Sequence, residues 1–249
     1  MKTNDKFLLK KSVGQIVLEA AHKTVFPNKC LFCRKVLKGL VDVACRDCGE
    51  LLTGAQILAD DGLKHISKIH IACDYAEEAV RHAIFRFKYE GKGLLARPMA
   101  EVIFRCFGKI EADFMLCVPS HPSRVKERGY NQAALLATEL SPLMGVAAYE
   151  GMLRRRDTAK QFDLNPEERA ANVMDAFALK EGFCVEGKGV LLVDDVLTTG
   201  STAVECARIL TEAGAAFVEM VVFAVPIRGR DDFYSSAGGE TPPLRGDIL

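Results

Sequence analysis

Two adjacent acids and a run of hydroxyl side chains are the residues of this sequence whose types and spacing best suit ligand binding. Asp194 and Asp195 follow the apolar residues 190–193. Carboxylates in this position suit two neighbouring hydroxyl groups, such as the 2′- and 3′-hydroxyls of a ribose, or a hydrated Mg²⁺ that the ligand carries. After two intervening residues comes a segment that we call the hydroxyl loop, which consists of Thr198, Thr199, Gly200, Ser201 and Thr202.

The hydroxyl loop has the composition of a monophosphate site. Gly200 allows the backbone to turn closely around an anion, and the flanking hydroxyls donate hydrogen bonds to it. A helix that begins here adds free amide N–H groups and the positive end of its dipole. The alternative is a helix cap beside a turn, but the order of strand, acids, hydroxyls and helix favours a single site for a ribose 5-phosphate.

Four of the nine cysteines form two Cys-x-x-Cys pairs that are separated by eleven residues: Cys30, Cys33, Cys45 and Cys48. Four thiolates at this spacing provide the closed tetrahedral coordination of a structural zinc ion. The metal would replace the apolar core that so short a segment lacks. A pair of redox motifs is the alternative. A thioredoxin-type Cys-x-x-Cys pair, however, lies near a βαβ pattern, and neither pair of this sequence has that setting. We therefore predict a zinc ribbon.

The predicted ribbon also carries positive charge, which suits a protein or nucleic-acid partner. At most one aromatic side chain, Phe32, is expected to be exposed there for stacking on a base. The whole chain has 33 basic and 33 acidic side chains, so nucleic-acid binding would require a local patch rather than a global field. The basic residues of the ribbon are Lys29, Arg34, Lys35, Lys38 and Arg46.

Alternating strands and helices must position these groups. The apolar patterns predict strands at 69–75, 114–119, 189–193 and 217–225, and helices at 77–89, 95–107, 131–140 and 202–212. A long polar loop with a short helix is expected over residues 153–172. The alternation predicts an α/β fold, with a parallel sheet flanked by helices.

Changes in composition divide the 249 residues into four expected parts. They are an N-terminal helical segment (1–26), the zinc-ribbon module (27–60), the α/β domain (65–228) and a mobile, polar tail (229–249). The apolar stripe of the first segment favours a helix that packs on its own protein, although a partner or membrane-surface helix has the same pattern. No apolar run has the length of a membrane span and no secretory signal is recognisable, so we expect a cytoplasmic protein.

The acid and hydroxyl segment, residues 190–202, resembles the signature of type I phosphoribosyltransferases. Three further segments resemble the ComF/GntX family in particular. They are residues 87–91, residues 118–124 continuing to 128–132, and residues 154–172. The order of these motifs is more specific than any one of them, and the resemblance extends over residues 30–226.

The resemblance implies a fold that binds phosphoribosyl pyrophosphate (PRPP) together with Mg²⁺. It implies that Asp194 and Asp195 are catalytic and that they bind PRPP with Thr198, Thr199, Gly200, Ser201 and Thr202. It also assigns the segment near residues 120–128 to the side of the site that holds the pyrophosphate, where cations stabilise a charged leaving group. The candidate cations there are Arg124, Lys126 and Arg128, together with Lys88 and residues 154–156.

Two functions remain open at this stage. The first is a Mg²⁺-dependent enzyme that transfers phosphoribosyl to an unidentified acceptor and releases pyrophosphate. The second is a non-catalytic adaptor that binds PRPP or a nucleotide in competence-type DNA uptake, as the family name implies. No residue is evident as a general base for the acceptor. His121 lies in the segment assigned to the pyrophosphate, but a single histidine favours the interpretation of a structural role.

Overall fold

Six strands form one mixed sheet at the centre of the computed structural model, which describes residues 4–14, 28–38, 42–52, 55–59, 63–90, 93–155 and 176–226. The strands are β1 (Gln56–Ala59), β2 (Lys68–Asp74), β3 (Phe114–Cys117), β4 (Ala148–Tyr149), β7 (Gly189–Val196) and β8 (Phe217–Val225). Across the sheet the strand order is β1-β2-β8-β7-β3-β4. β1 is antiparallel to β2, and the other neighbours are parallel.

Six α-helices and a small second sheet complete the described part of the chain. β5 (Met152–Arg154) pairs with β6 (Phe177–Leu179) in an antiparallel ladder of its own. No described helix combines the length and the apolar character needed to cross a membrane. The helices are α1 (Arg46–Gly49), α2 (Glu78–Tyr89), α3 (Ala96–Phe107), α4 (Pro122–Arg128), α5 (Gln132–Met144) and α6 (Ser201–Glu212).

The core lies along the central strands because their residues are apolar on both faces. Residues 190–193 of β7 and 218–225 of β8 are buried without alternation, as expected for parallel strands covered by helices on both sides. Parallel strands end at the same edge of a sheet, so β2, β3, β7 and β8 bring their carboxyl ends together. Asp194 and Asp195 lie at this edge, where open α/β sheets bind ligands.

The structure confirms the α/β fold and the main elements expected from the sequence. The expected strand at 189–193 is too short, because β7 continues to Val196 and includes both acids. The helix expected at 131–140 continues to Met144. Four short strands (β1, β4, β5 and β6) were not predicted, and neither was α4. Most of the expected loop at 153–172 and the expected tail at 229–249 lie outside the described residues.

An N-terminal arm, residues 4–11, covers the β4 edge of the sheet. The Leu9 amide donates to the carbonyl of Ala148 at 2.7 Å, and the Glu150 amide donates to the carbonyl of Phe7 at 2.9 Å. The chain therefore pairs with β4 near residues 8–9, between a 3₁₀ helix at Asn4–Phe7 and the helical residues 13–14, because the strand edge offers it hydrogen-bond partners. Residues 15–26 of the expected helical segment lie outside the described residues.

Candidate functional site

The two acids at the end of β7 have different partners. The Asp195 carboxylate is buried, and its Oδ2 lies 2.7 Å from Nζ of Lys88, which belongs to the last turn of α2. Asp194 Oδ1 accepts a hydrogen bond from the Asp195 amide at 2.8 Å. Successive side chains of a strand point to opposite faces, so the two carboxylates approach the sheet edge from opposite sides.

Asp194, Asp195 and Lys88 carry two acidic groups and only one cation. Burial raises the pKa of Asp194 well above its usual range, and the neighbouring charge of Asp195 raises it further. Burial alone would lower the pKa of Lys88, but the charge and hydrogen bond of Asp195 outweigh burial, so this pKa is raised. Lys88 is therefore a cation that neutralises Asp195, whereas Asp194 holds its proton to a higher pH than an ordinary aspartate.

The hydroxyl loop leads directly into α6. Gly200 has φ +75°, the left-handed region that favours glycine, and occupies the N-cap position of α6 without a side-chain cap. A Cβ atom on Gly200 would lie 2.9 Å from Leu63, so the backbone is closely packed here. Thr198 is exposed, and Thr199 Oγ1 lies 3.3 Å from Ser201 Oγ. The loop thus presents hydroxyls and the first amides of a twelve-residue helix at the edge where the acids lie.

The basic candidates are divided between two places. Arg128 ends α4, where its Nη2 donates to Tyr89 Oη at 3.3 Å and its guanidinium lies 5.0 Å from the centre of the Tyr89 ring. Tyr89 follows Lys88, so α2 and α4 bring these two cations near each other, and the charge of Arg128 acts on the pKa of Lys88. Arg124 lies one turn earlier on α4. Arg154 instead ends β5, with its guanidinium 5.2 Å from the centre of the Phe177 ring.

The segment assigned to the pyrophosphate side is mostly helical. Residues 122–128 form α4, and His121 is its N-cap, accepting a hydrogen bond from the Ser123 amide at 3.2 Å. Pro122 at the first helical position favours this start, because its missing N–H would have no helical partner anyway. The pair His121–Pro122 was the available sequence signal for the helix. His121 therefore has a structural contact at the start of α4.

The four paired cysteines come together and could hold a metal ion. Their sulfur atoms all lie within 4.8 Å of one another, and Cys33 Sγ lies 3.5 Å from Cys45 Sγ. Zinc–sulfur bonds of about 2.3 Å in a tetrahedron place sulfurs about 3.8 Å apart, so this set of donors fits zinc. The Cys45 amide donates to Cys30 Sγ at 3.4 Å, as suits a thiolate. We call these four residues the cysteine cluster.

The cysteine cluster is packed onto the α/β domain. Phe32 is 3% exposed and stacks on Phe223 of β8, with ring centres 6.4 Å apart. Phe32, the one aromatic side chain of the ribbon that the sequence allowed to be exposed, is therefore buried, because its apolar ring gains more from covering the sheet than from contact with water. The guanidinium of Arg86 on α2 donates to the carbonyls of Leu31 and Phe32. Phe32 is thus not available to stack on a nucleic-acid base.

The chain is similar in sequence to known proteins. Residues 128–236 match the family described as phosphoribosyl transferase domain. The chain is 38% identical to DNA utilization protein YhgH of Shigella flexneri over 55% of this chain and 63% of that protein. It is 26% identical to competence protein ComFC of Streptococcus pneumoniae over 75% of this chain and 77% of that protein.

Among solved structures, an adenine phosphoribosyltransferase from Thermoanaerobacter pseudethanolicus is similar at 14% identity. The similarity covers 74% of this chain and 92% of that one, with a TM-score of 0.40. The chain matches 63% of the length of the DNA utilization proteins, which is less than two thirds of each.

Proposed function

We propose a function from one premise: residues 128–236 of this chain match a phosphoribosyl transferase domain, and the chain is similar to competence protein ComFC and to DNA utilization protein YhgH. On that premise the edge of the sheet binds PRPP. The observation that carries the proposal is the pair of acids ending β7 beside the N-terminus of α6, which has no side-chain cap. Carboxylates for ribose hydroxyls and amides for a 5-phosphate meet there in the order in which PRPP presents these groups.

Each part of PRPP has a candidate partner. The hydroxyl loop, Thr198 to Thr202, would bind the 5-phosphate, and Asp194 and Asp195 would accept hydrogen bonds from the ribose hydroxyls. The candidate partners of the pyrophosphate are the cations of α2 and α4, Lys88, Arg124 and Arg128, because their positive charge suits this anionic group. Because Lys88 is bound to Asp195, the ligand would share this carboxylate with Lys88, which stays beside it.

We further propose that the site transfers phosphoribosyl to an acceptor that is not yet identified. The bond between the anomeric carbon and pyrophosphate breaks, and its electrons leave with the pyrophosphate. A bond from that carbon to the acceptor forms, and the acceptor loses a proton to the solvent. Arginines and lysine beside the leaving group would stabilise the charge that grows on it. Asp194 and Asp195 offer the oxygen ligands that Mg²⁺ prefers, and a bound Mg²⁺ would neutralise part of the pyrophosphate charge.

An adaptor role is the second candidate, favoured by the names of the relatives. These are called competence protein and DNA utilization protein, and this chain would then bind PRPP or a nucleotide without turnover. The cysteine cluster would hold structural zinc and present a basic surface to a protein or nucleic acid. Since Phe32 is buried, such contact would depend on charge rather than on stacking. Reduced thiols suit the cytoplasm, which we propose as the location.

Calorimetry with PRPP and Mg²⁺ tests binding. We expect heat of binding with the unaltered chain and none with the double variant Asp194→Asn and Asp195→Asn, because the ribose hydroxyls lose their charged acceptors. Glu111→Gln is the matched control, since this carboxylate is 84% exposed and lies before β3, at the opposite edge of the sheet. Circular dichroism shows whether the double variant is folded. A lack of heat with the folded, unaltered chain would refute PRPP binding.

A screen for pyrophosphate release then separates the two functions. The chain is incubated with PRPP, Mg²⁺ and a set of bases, amines and nucleotides. Release that disappears in the double variant supports the enzyme. Binding of PRPP without release from any acceptor in the set supports the adaptor.

A further inference from the structure

The last turn of α2 contacts both the segment between Cys30 and Cys33 and the acid site. Lys88 binds Asp195 at 2.7 Å. Two residues earlier, the Arg86 guanidinium donates to the carbonyl of Leu31 and, at 3.4 Å, to that of Phe32. Leu31 and Phe32 are the two residues between Cys30 and Cys33. One helical turn therefore lies between the predicted metal ligands and the predicted ribose acid.

The position of Arg86 depends on these carbonyls because its charge is buried. The residue is 9% exposed, and a buried guanidinium is costly unless its N–H groups are hydrogen-bonded. Its Nε donates to the His82 carbonyl of α2 itself at 3.2 Å. The acceptors of Nη2 are instead the carbonyls of Leu31 and Phe32. A shift of Leu31 and Phe32 would leave part of the guanidinium without acceptors, so α2 would follow.

Residues 30–48, which carry the four thiols, form two regions that a metal bound to the thiols would join. The Cys30 and Cys45 regions are linked by the Leu31 amide, which donates to the Val43 carbonyl at 2.8 Å. Arg34 has φ +66°, an unfavourable backbone for a residue with a side chain. A metal bound by the cluster would hold this turn, and its loss would release the turn.

We infer that the cysteine cluster positions the acid site, and that Arg86 is the positioning residue which connects them. Metal held by the cluster fixes the carbonyls of Leu31 and Phe32, these fix Arg86, and α2 then holds Lys88 on Asp195. The link to PRPP affinity rests on the function proposed above, whereas the link to the Lys88–Asp195 ion pair does not. Coupling between two sites is reciprocal, so a ligand at the acid site would also make the metal harder to remove.

Chemical labelling of Lys88 tests the link without any ligand. Lysines are modified with an amine reagent and located by mass spectrometry in the zinc-loaded chain and in the chain freed of zinc by a chelator. We expect Lys88 labelling to accelerate about fivefold or more without zinc, the lower end of typical coupling between sites. Lys11 is the internal control, because it is bound to Glu139 and its side chain is 19% exposed. General unfolding would accelerate both lysines, whereas the inferred link accelerates Lys88 alone.

Substitutions of α2 complete the test. Arg86→Met should accelerate Lys88 labelling even when zinc is present, and Arg86→Lys should restore part of the protection because it keeps one donor. Arg81→Met is the matched control, since Arg81 lies on the same helix and donates to the carbonyls of Tyr75 and Ala76 instead. Unchanged Lys88 labelling in both the zinc-free chain and Arg86→Met would overturn the inference, as would equal acceleration of Lys11.

The consequence for the ligand is measured separately. Zinc-free and zinc-loaded chains are compared by calorimetry with PRPP and Mg²⁺ after the chelator has been removed. We expect weaker binding without zinc, and slower loss of zinc to a chromogenic chelator when PRPP is bound. If Lys88 labelling responds to zinc but no form binds PRPP, the proposed function fails and the inferred link stands. If PRPP binds equally with and without zinc while Lys88 labelling is unchanged, the link fails and the function stands.

Discussion

At the scale of residues, the two neighbouring acids are not equivalent. Asp195 is paired with the Lys88 cation, whereas Asp194 has a pKa raised by burial and by the charge of Asp195. Lone buried carboxylates are costly in their ionised form. An aspartate with a raised pKa at the carboxyl edge of the sheet is therefore a candidate for ligand binding rather than for a stabilising role in the fold.

Replacement of Asp194 by Asn should change how stability depends on pH. A raised pKa in the folded chain means that Asp194 contributes stability below its unfolded pKa of about 4, and that this contribution is lost as pH rises through the folded value. Asparagine does not titrate. We therefore expect the free energy of unfolding of Asp194→Asn, relative to the unaltered chain, to increase from acid to neutral pH. Urea unfolding at several pH values measures this difference, and a difference independent of pH would contradict it.

At the scale of elements, the sheet is protected at both edges by short additions. β1 pairs with β2 at one edge, and the N-terminal arm pairs with β4 at the other. An open edge is a site for pairing with other chains. The arm is also held by Lys11, which lies 2.5 Å from the buried Glu139 of α5.

Removal of the Lys11 cation should weaken the attachment of the arm. Lys11→Met removes the 2.5 Å ion pair of Glu139, and the 3.7 Å contact with Arg97 is longer and compensates only in part. We expect a loss of about 1–3 kcal/mol in the free energy of unfolding, measured with urea. Lys10→Met is the matched control because Lys10 is exposed, and it should change stability little. Equal effects of the two substitutions would show that Glu139 does not depend on Lys11.

A second element-scale prediction concerns the aromatic cluster beneath the arm. Phe183 contacts the rings of Phe7, Phe114 and Tyr149, and a Cβ on Gly151 would lie 2.6 Å from the Phe183 ring. Gly151→Ala should displace this ring and cost about 1–3 kcal/mol in unfolding free energy. Gly49→Ala, where a Cβ meets nothing within 4 Å, should not be destabilising. An unaltered unfolding midpoint for Gly151→Ala would contradict the prediction.

At the scale of the whole molecule, the cysteine cluster and the sheet are joined by buried contacts. Leu31 is 1% exposed and Phe32 3%, and both lie between the cysteines of one pair. The sequence predicts a zinc-ribbon module of residues 27–60. In the structure Phe32 of this range stacks on Phe223 of β8, and residues 56–59 pair with the main sheet as β1.

Cooperative unfolding should follow from these contacts. We expect zinc release and loss of helical circular dichroism to occur at the same urea concentration, because the cluster cannot open without exposing Phe32 and Arg86. Elemental analysis of metal-replete protein should show about one zinc per chain. Release of zinc at a clearly lower urea concentration than the loss of helix would show that the ribbon opens independently.

Local sequence patterns accounted for the long elements and for the composition of the site. Continuous apolar runs identified β3, β7 and β8, because strands buried on both faces need no polar alternation. The strands β4, β5 and β6, of two or three residues each, have no comparable signal, and they exist because the chain packs beside an available partner. The helix α4 was missed because its residues 122–128 are polar, and only His121 and Pro122 marked its start.

The amino-acid sequence by itself determined the α/β fold, the cysteine spacing that suits a metal, and the order of acids and hydroxyls at the end of β7. Those features depend on short-range spacing, which covalent geometry and periodicity preserve. Only the tertiary structure decided that Lys88 binds Asp195, that Phe32 is buried, and that Arg86 contacts the segment between Cys30 and Cys33. These contacts join residues between 54 and 191 positions apart, and such pairings arise from packing that no local pattern records.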